Sequence, residues 1–312
     1  MNPRHLRLGT RGSALALWQA NWVKAALEKR HPGLTVELSL IKTTGDKILD
    51  VPLAKIGGKG LFTKEIDEAL LSERIDLAVH SLKDVPFQLP GGIELAAVPE
   101  REDGRDAFLS NGPKLRDLPS DATIGTSSLR RQVQLRHWFP TLNLQVLRGN
   151  VDTRLRKLEA GDFDAIVLAV AGLKRLGYED RITEILDEEI MLPAVAQGAL
   201  GIVCRSHDTE AQNLISTLEH PTSRLCVTAE RALLRALGGS CQVPIAGKAV
   251  IADDRLRIEA RIASIDGRQM LSDSLEGPTS QPVELGLALG QKLIDAGASK
   301  ILAEIAADGS QG

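Results

Sequence analysis

Residues 123–169 read TIGTSSLRRQVQLRHWFPTLNLQVLRGNVDTRLRKLEAGDFDAIVLA, and their pattern decides the fold. Thr123–Gly125 carries a short strand signal, Ser128–Trp138 has helical spacing, Leu144–Leu147 is again strand-like, Val151–Ala160 is helical and Ala165–Ala169 is an apolar strand run. Strand, helix, strand, helix, strand is the signature of an α/β unit built on a mainly parallel sheet. The same order precedes it in Leu6–Gly9, a helix from Ser13 to about Arg30, Leu34–Leu40, Phe62–Glu73 and Ile75–Val79. Ser13 is placed to cap its helix, and Ile75–Val79 is the short apolar run that a doubly covered parallel strand needs. Beyond Pro221 the texture changes to a helix near Arg224–Leu237, strands at Val243–Ile251, Leu256–Ile265 and Gln269–Leu275, and a helix from about Pro282 to Ala306. This predicts a separate α+β domain.

Composition fits that organisation. The chain has 312 residues, 43% hydrophobic and 25% charged, enough for two or three globular domains. Three cysteines, an odd number in so long a chain, argue against a disulfide framework and for a reducing compartment, so the cytoplasm is expected. The first 18 residues carry Arg4, Arg7 and Arg11 without a long apolar stretch, and no uncharged run reaches membrane-spanning length. Neither secretion nor membrane insertion is indicated. A net charge of −3 does not mark the whole chain as a partner of nucleic acid. Between Thr126 and Lys157, however, seven basic residues face one acid, Asp152. That excess fits either a docking place for an acidic ligand or a solvated basic face.

Ligands of open α/β sheets bind at the carboxyl ends of the strands, where loop amides and helix N-termini converge. The strand ends here are followed by Thr10-Arg11, His80-Ser81-Leu82-Lys83-Asp84, Thr126-Ser127-Ser128, Arg148-Gly149-Asn150 and Ala171-Gly172. A cleft facing both sets of ends would be lined with hydroxyls, amides and cations. Arg130 and Arg131 fall in the first turn of a helix, where cations oppose the macrodipole at about 0.3–1 kcal/mol each. An anion at the same place would relieve that cost; alternatively Ser128 is an ordinary N-cap and the arginines are solvated. The segment Leu53–Phe62, rich in glycine and lysine, lacks both the Walker and the dinucleotide spacing, so it reads as a basic flap or a plain surface loop. Asp84 beside Lys83 is either functional or a turn cap, and His80 is more simply structural. Cys204 and Cys226 lie in apolar segments and read as buried hydrophobes, whereas Cys241 follows Gly238-Gly239-Ser240 on a loop that exposes its sulfur. No cysteine or histidine pair has metal-ligand spacing around it, so no metal is expected.

At these residues the chain resembles the porphobilinogen deaminase (hydroxymethylbilane synthase) family. The matching segments are Thr10-Arg11 with Ser13 and Ala16–Ala20, then Pro52–Phe62, Val79–Pro86, Arg101–Ala107, Gly125–Gln132, Leu147–Asn150, Leu168–Gly177, Leu192–Gly198, Val227–Arg231 and Gly239–Ile245. Departures are mild: Gly12 and Ala14 follow and precede positions where the family leads one to expect glutamine and proline, Ser240 stands for a usual glycine before the cysteine, and Asp152 replaces a small residue. The resemblance implies two α/β domains like the lobes of type II periplasmic binding proteins, at 1–99 with 199–217 and at 104–193, plus a smaller C-terminal α+β domain at 221–312. It implies a cytoplasmic, monomeric transferase of tetrapyrrole (heme) biosynthesis, with a dipyrromethane cofactor in thioether linkage to Cys241. Four porphobilinogen units are added to that primer with loss of ammonia, and hydroxymethylbilane is released. Each pyrrole brings an acetate and a propionate. Arg11, Ser13, Lys83, Arg130, Arg131, Arg148, Arg154 and Arg175 are thereby expected to bind these carboxylates. Ser81, Thr126, Ser127, Ser128, Asn150 and Gln197 are expected to add neutral hydrogen bonds, and Lys55 and Lys59 to act from the flap. Asp84 is expected to stabilise the cationic azafulvene that forms when ammonia leaves. A non-catalytic binder of a small polycarboxylate or oxyanion is the alternative, opposed by the Cys241 loop and the absence of a signal peptide; a phosphate-dependent enzyme is opposed by the missing phosphate-loop spacing.

Overall fold

A computed structural model describes residues 4–47, 60–238 and 243–309. The chain begins with β1 (Arg4–Thr10), α1 (Ala14–Arg30), β2 (Leu34–Leu40), α2 (Thr44–Lys47), α3 (Lys64–Leu71), β3 (Leu77–Ser81) and β4 (Ile93–Ala97). It continues with β5 (Asp106–Ser110), β6 (Thr123–Gly125), α4 (Leu129–Trp138), β7 (Asn143–Gln145), α5 (Val151–Glu159), β8 (Ala165–Ala169), α6 (Val170–Arg175) and β9 (Glu184–Ile185). Then come β10 (Leu200–Arg205), α7 (Thr209–Ser216), α8 (Pro221–Ala236), β11 (Ile245–Ala252), β12 (Arg255–Ala263), β13 (Met270–Pro278), α9 (Pro282–Asp295) and α10 (Ala298–Gly309). The described residues form two compact units, one of 4–47, 60–102 and 199–224, the other of 103–198, 225–238 and 243–309.

The first unit holds a five-stranded sheet in the order β2-β1-β3-β10-β4. β1 runs parallel to β2 and β3, whereas β10 is antiparallel to β3 and β4. Burial explains the strands: Leu77–His80 are all buried, as is every residue of β10, so an apolar run covered on both faces is the stable choice. Gly9 is required by close approach, since a Cβ there would come within 2.3 Å of the Ile75 side chain. α1 packs Ala20, Val23 and Leu27 on the sheet, and its start is fixed by Ser13, whose Oγ accepts the Ala16 amide at 3.3 Å. α3 buries Ile66, Ala69 and Leu70. Asp67 on the same helix is also buried, and burial pushes its carboxyl up to about 6 against a hydrogen bond from Thr63.

The second unit repeats the plan in the sheet β7-β6-β8-β5-β9, with β6 parallel to β7 and β8, and β5 antiparallel to β8 and β9. It also contains the antiparallel sheet β11-β12-β13, on which α8 and α9 pack through Ala229, Leu233, Leu289 and Leu293. The β12–β13 turn is fastened to α4: Arg136 Nη1 donates to Ile265 O at 2.6 Å, and His137 Nδ1 lies 2.8 Å from Gly267 O.

Two sequence expectations change. The single helix expected over Pro282–Ala306 is two helices, because Gly297 adopts φ +105°, a left-handed backbone that no helix tolerates. Strands β4, β5, β9 and β10, absent from the sequence reading, complete the two sheets. Cys204 and Cys226 are buried as expected, and burial pushes the Cys204 thiol up to about 12.

Candidate functional site

Each unit gathers its candidate residues at the carboxyl ends of adjacent parallel strands. In the first, β1 and β3 are neighbours, so Arg11 and the Ser81–Asp84 turn leave the sheet side by side. The Arg11 guanidinium carbon lies 4.2 Å from the centroid of the Phe62 ring, a cation–π contact that fixes its direction. Ser81 accepts from Gln19 Nε2 at 2.8 Å. Lys83 and Asp84 lie on a single 3₁₀ turn, Lys83 half-buried and Asp84 exposed. His80 is buried on β3, its Nε2 has no hydrogen-bond partner, and burial, aided by the nearby Arg11 charge, lowers its pKa to about 4. It is a neutral imidazole at pH 7. Ser13 is engaged as the α1 cap, so its oxygen is already an acceptor within the protein.

In the second unit β7, β6 and β8 are consecutive, which brings Arg148–Asn150, Thr126–Ser128 and the start of α6 to one edge. Ser128 occupies the N-cap position of α4 but its side chain makes no cap bond, and the first turn of α4 has no acid. Thr126 Oγ1 instead accepts the Ser128 amide at 3.3 Å, and Ser127 Oγ donates to Leu147 O. Asn150 caps α5 by accepting the Thr153 amide at 2.9 Å. Arg154 Nε donates to Gly149 O at 2.8 Å and Arg175 Nη2 to Gly198 O at 2.7 Å. Arg148 is half-buried, with Nη1 buried and without a partner.

Arg130 and Arg131 differ from a solvated basic face. Both are about 95% buried and share one carboxylate, the fully buried Asp106 at the start of β5. Arg130 Nη1 reaches Asp106 Oδ2 at 2.7 Å and Leu192 O at 2.8 Å. Arg131 gives Nε and Nη2 to Asp106 Oδ1 at 3.0 and 2.6 Å, and Nη1 to Val167 O at 2.8 Å. Gln197, expected to meet a ligand, gives Nε2 to Asp106 Oδ1 at 2.9 Å and to Gly104 O at 2.7 Å. Burial alone would raise the Asp106 carboxyl, but the two guanidinium charges and the Gln197 hydrogen bond outweigh it and hold the group well below the usual carboxylate range. The anion that makes two arginines tolerable in the first turn of α4 is therefore the protein's own.

Two positive charges and one negative leave a buried excess of one positive charge, and Arg130 Nε is a buried donor with no partner. A surplus buried cation with an unmatched donor is chemistry suited to a further carboxylate. Asp106 and Gln19 escaped the sequence reading. The available signal for Asp106 was an acid opening the apolar run Ala107–Leu109, a pattern that demands a buried cationic partner. Lys55, Lys59 and Cys241 lie outside the described residues. Among the described residues no cluster of histidine, cysteine or acidic side chains could hold a metal, and no helix is long and apolar enough to cross a membrane.

Residues 6–213 match the family model described as "Porphobilinogen deaminase, dipyromethane cofactor binding domain", and residues 224–295 match "Porphobilinogen deaminase, C-terminal domain". The chain is 54% identical over 305 residues to the porphobilinogen deaminase of Geobacter metallireducens, covering 98% of this chain and 96% of that one. It is 54% identical over 300 residues to that of Geobacter sulfurreducens, covering 96% and 94%. Among solved structures it is similar to the VFT2 domain of Bordetella pertussis BvgS, with a TM-score of 0.41 and 12% identity over 69% of this chain and 86% of that one. Matches of this identity over nearly the full length of both chains, together with two family models in their proper order, establish that the chain belongs to the porphobilinogen deaminase family.

Proposed function

We propose that this protein is a cytoplasmic, monomeric transferase that condenses four porphobilinogen units onto a dipyrromethane held by Cys241 and releases hydroxymethylbilane. The observation that carries the reading is the Arg130–Arg131–Asp106 cluster, with its surplus positive charge and the unpartnered Arg130 Nε. The donors fit the group. A dipyrromethane is a tetracarboxylate, and the buried donors Arg130 Nε and Arg148 Nη1, with Arg154 in the first turn of α5 and Arg175 at the end of α6, offer guanidinium groups for carboxylates. When bound, that group supplies the nucleophilic pyrrole carbon to which each unit is joined.

The chain's own residues then have distinct tasks. The arginines and the start of α4, where the Ser128 side chain makes no cap bond, bind and orient carboxylates in both ground and transition states. Arg11, held by Phe62, and Lys83 add cations beside β3, with Ser13, Ser81, Thr126, Ser127, Ser128, Asn150 and Gln197 as neutral partners or supports. Lys55 and Lys59 act from the preceding segment. Asp84, exposed on its short turn, gives its carboxylate to the substrate: it offsets the positive charge that develops as ammonia departs and takes up the proton lost when the new carbon–carbon bond is made. In this reading the chain divides into domains at 1–99 with 199–217, 104–193 and 221–312.

Intact-protein mass spectrometry tests the proposal. Active wild type should exceed the bare polypeptide by one dipyrromethane, Cys241→Ala should not, and Arg131→Leu should fold yet fail in primer assembly or early elongation. An active wild-type protein with the mass of its polypeptide alone refutes the covalent primer.

A further inference from the structure

Glu230 is fully buried in the middle of α8, an expensive place for a carboxylate, and the binding reading above gives it no task. Its two oxygens are engaged by backbone: Oε2 accepts the amide of Ala196 at 2.6 Å and Oε1 the amide of Ala249 on β11 at 2.7 Å. Ala196 has φ +59°, a left-handed backbone that alanine adopts only when its surroundings impose it. The next residue is Gln197, whose side chain holds Asp106 and Gly104. β11 is tied to the same loop a second time, by the Gly247 amide on Pro193 O at 2.9 Å. There a Cβ on Gly247 would meet Leu233 at 2.9 Å and Val195 at 3.2 Å.

We infer that Glu230 is a positioning residue: by clamping the Ala196 and Ala249 amides, its carboxylate holds the left-handed turn that delivers Gln197 to Asp106 and so aims the Arg130–Arg131 pair at substrate carboxylates. The inference rests on the carboxylate-binding role of that pair. A carboxylate suits the clamp because each of these two backbone groups is a donor. A glutamine at 230 keeps one acceptor oxygen and turns its own NH₂ toward the other backbone N–H, so one clamp is lost and two donors oppose each other. The mechanism also predicts its own suppressor. Glycine adopts the left-handed backbone without help, so Ala196→Gly makes the turn less dependent on the clamp.

The test compares Glu230→Gln, Ala196→Gly and the double variant in primer-loaded protein whose loading is confirmed by intact mass. Hydrogen exchange of a peptide covering 192–198 serves as a readout independent of activity. Glu230→Gln should speed exchange in that peptide and raise the KM for porphobilinogen about tenfold, with kcat changed less than about threefold, as loss of uniform binding requires. The double variant should recover most of the KM. A merely structural role would lower the melting temperature of Glu230→Gln, leave its KM intact and show no recovery with Ala196→Gly. A wild-type KM in folded Glu230→Gln, or a defect untouched by Ala196→Gly, overturns the inference. If Glu230→Gln does not fold, Glu230→Asp carries the same comparison, because it withdraws the carboxylate by one methylene. Arg131→Leu, read by primer loading in the intact mass and, where loaded, by the same KM, separates the two levels: normal loading and normal KM there remove the underlying reading, whereas a failure of either there with a normal Glu230→Gln removes this one alone.

Discussion

Substituting Asp67 by asparagine should unmask a pH dependence of stability that the wild-type protein hides. His80 and Asp67 lie in the same compact unit and are both buried, yet their shifts act in opposite senses. His80 is lowered to about 4, so between about pH 4 and 6.5 the unfolded chain binds the proton that the native imidazole refuses. Its contribution is present above pH 6.5 and is lost as the pH falls toward 4. Asp67 is raised to about 6 from an ordinary 3.8, so the native state keeps a proton that the unfolded chain releases. Its contribution is present below pH 3.8 and is lost as the pH rises through 6. Each amounts to about 3 kcal/mol at 1.36 kcal/mol per pKa unit, and across pH 4–6.5 they cancel. Asp67→Asn removes one slope, so stability should rise by about 3 kcal/mol from pH 4 to 6.5, and His80→Gln should show the reverse trend. Trp18 and Trp22 on α1 report on this unit, and a Trp138→Phe background silences the third tryptophan. With a urea m-value near 2 kcal/mol/M, the midpoint of Asp67→Asn should move by about 1.5 M across the window. A profile as flat as that of wild type would refute the reasoning, since it would mean that His80 charges inside the fold without penalty.

Other expectations follow from single sites. Asp84→Asn deletes a charge worth about 4 kcal/mol at 4 Å and an effective dielectric of 20; single-turnover addition of porphobilinogen should slow by several powers of ten, Asp84→Glu should retain measurable activity, and the opposite ranking would assign Asp84 a steric role. Asp106→Asn leaves two buried guanidinium groups facing a neutral amide and should destabilise the protein by about 3–5 kcal/mol in denaturant titration; a loss below 1 kcal/mol would show that water reaches the cluster. Gly267→Ala places a methyl 2.8 Å from Arg136 Cβ and 2.8 Å from the His137 amide nitrogen, at φ +73°. It should cost about 1–3 kcal/mol through overpacking and loosen the β12–β13 turn from α4, read as a lower melting temperature.

Much of this was legible in the sequence because it is local. The β6–α4–β7–α5–β8 order is written in the periodicity of residues 123–169, and the ligand-type residues fall at strand ends that the topology brings together. What escaped depends on distant partners. β5 and β10 are short apolar runs whose place in a sheet is set by strands remote in sequence. The break at Gly297 interrupts an apolar spacing that continues on both sides. Arg130 and Arg131 were recognisable as cations for an anion, but the acid that shares them, Asp106, is 24 and 25 residues away and only the fold pairs them.

The position of β10 also orders the birth of the protein. β3 and β4 do not pair with each other; β10 fills the space between them. When Ala97 leaves the ribosome, roughly 100 residues must still be synthesised before Leu200–Arg205 arrive, about 5–20 s at ordinary elongation rates. During that interval β3 presents an unpaired apolar edge, the kind of surface that templates aggregation. The nascent N-terminal half is therefore a natural client for chaperones, and a translation pause before Leu200–Arg205 have left the ribosome would lengthen its exposure, whereas a later pause would not.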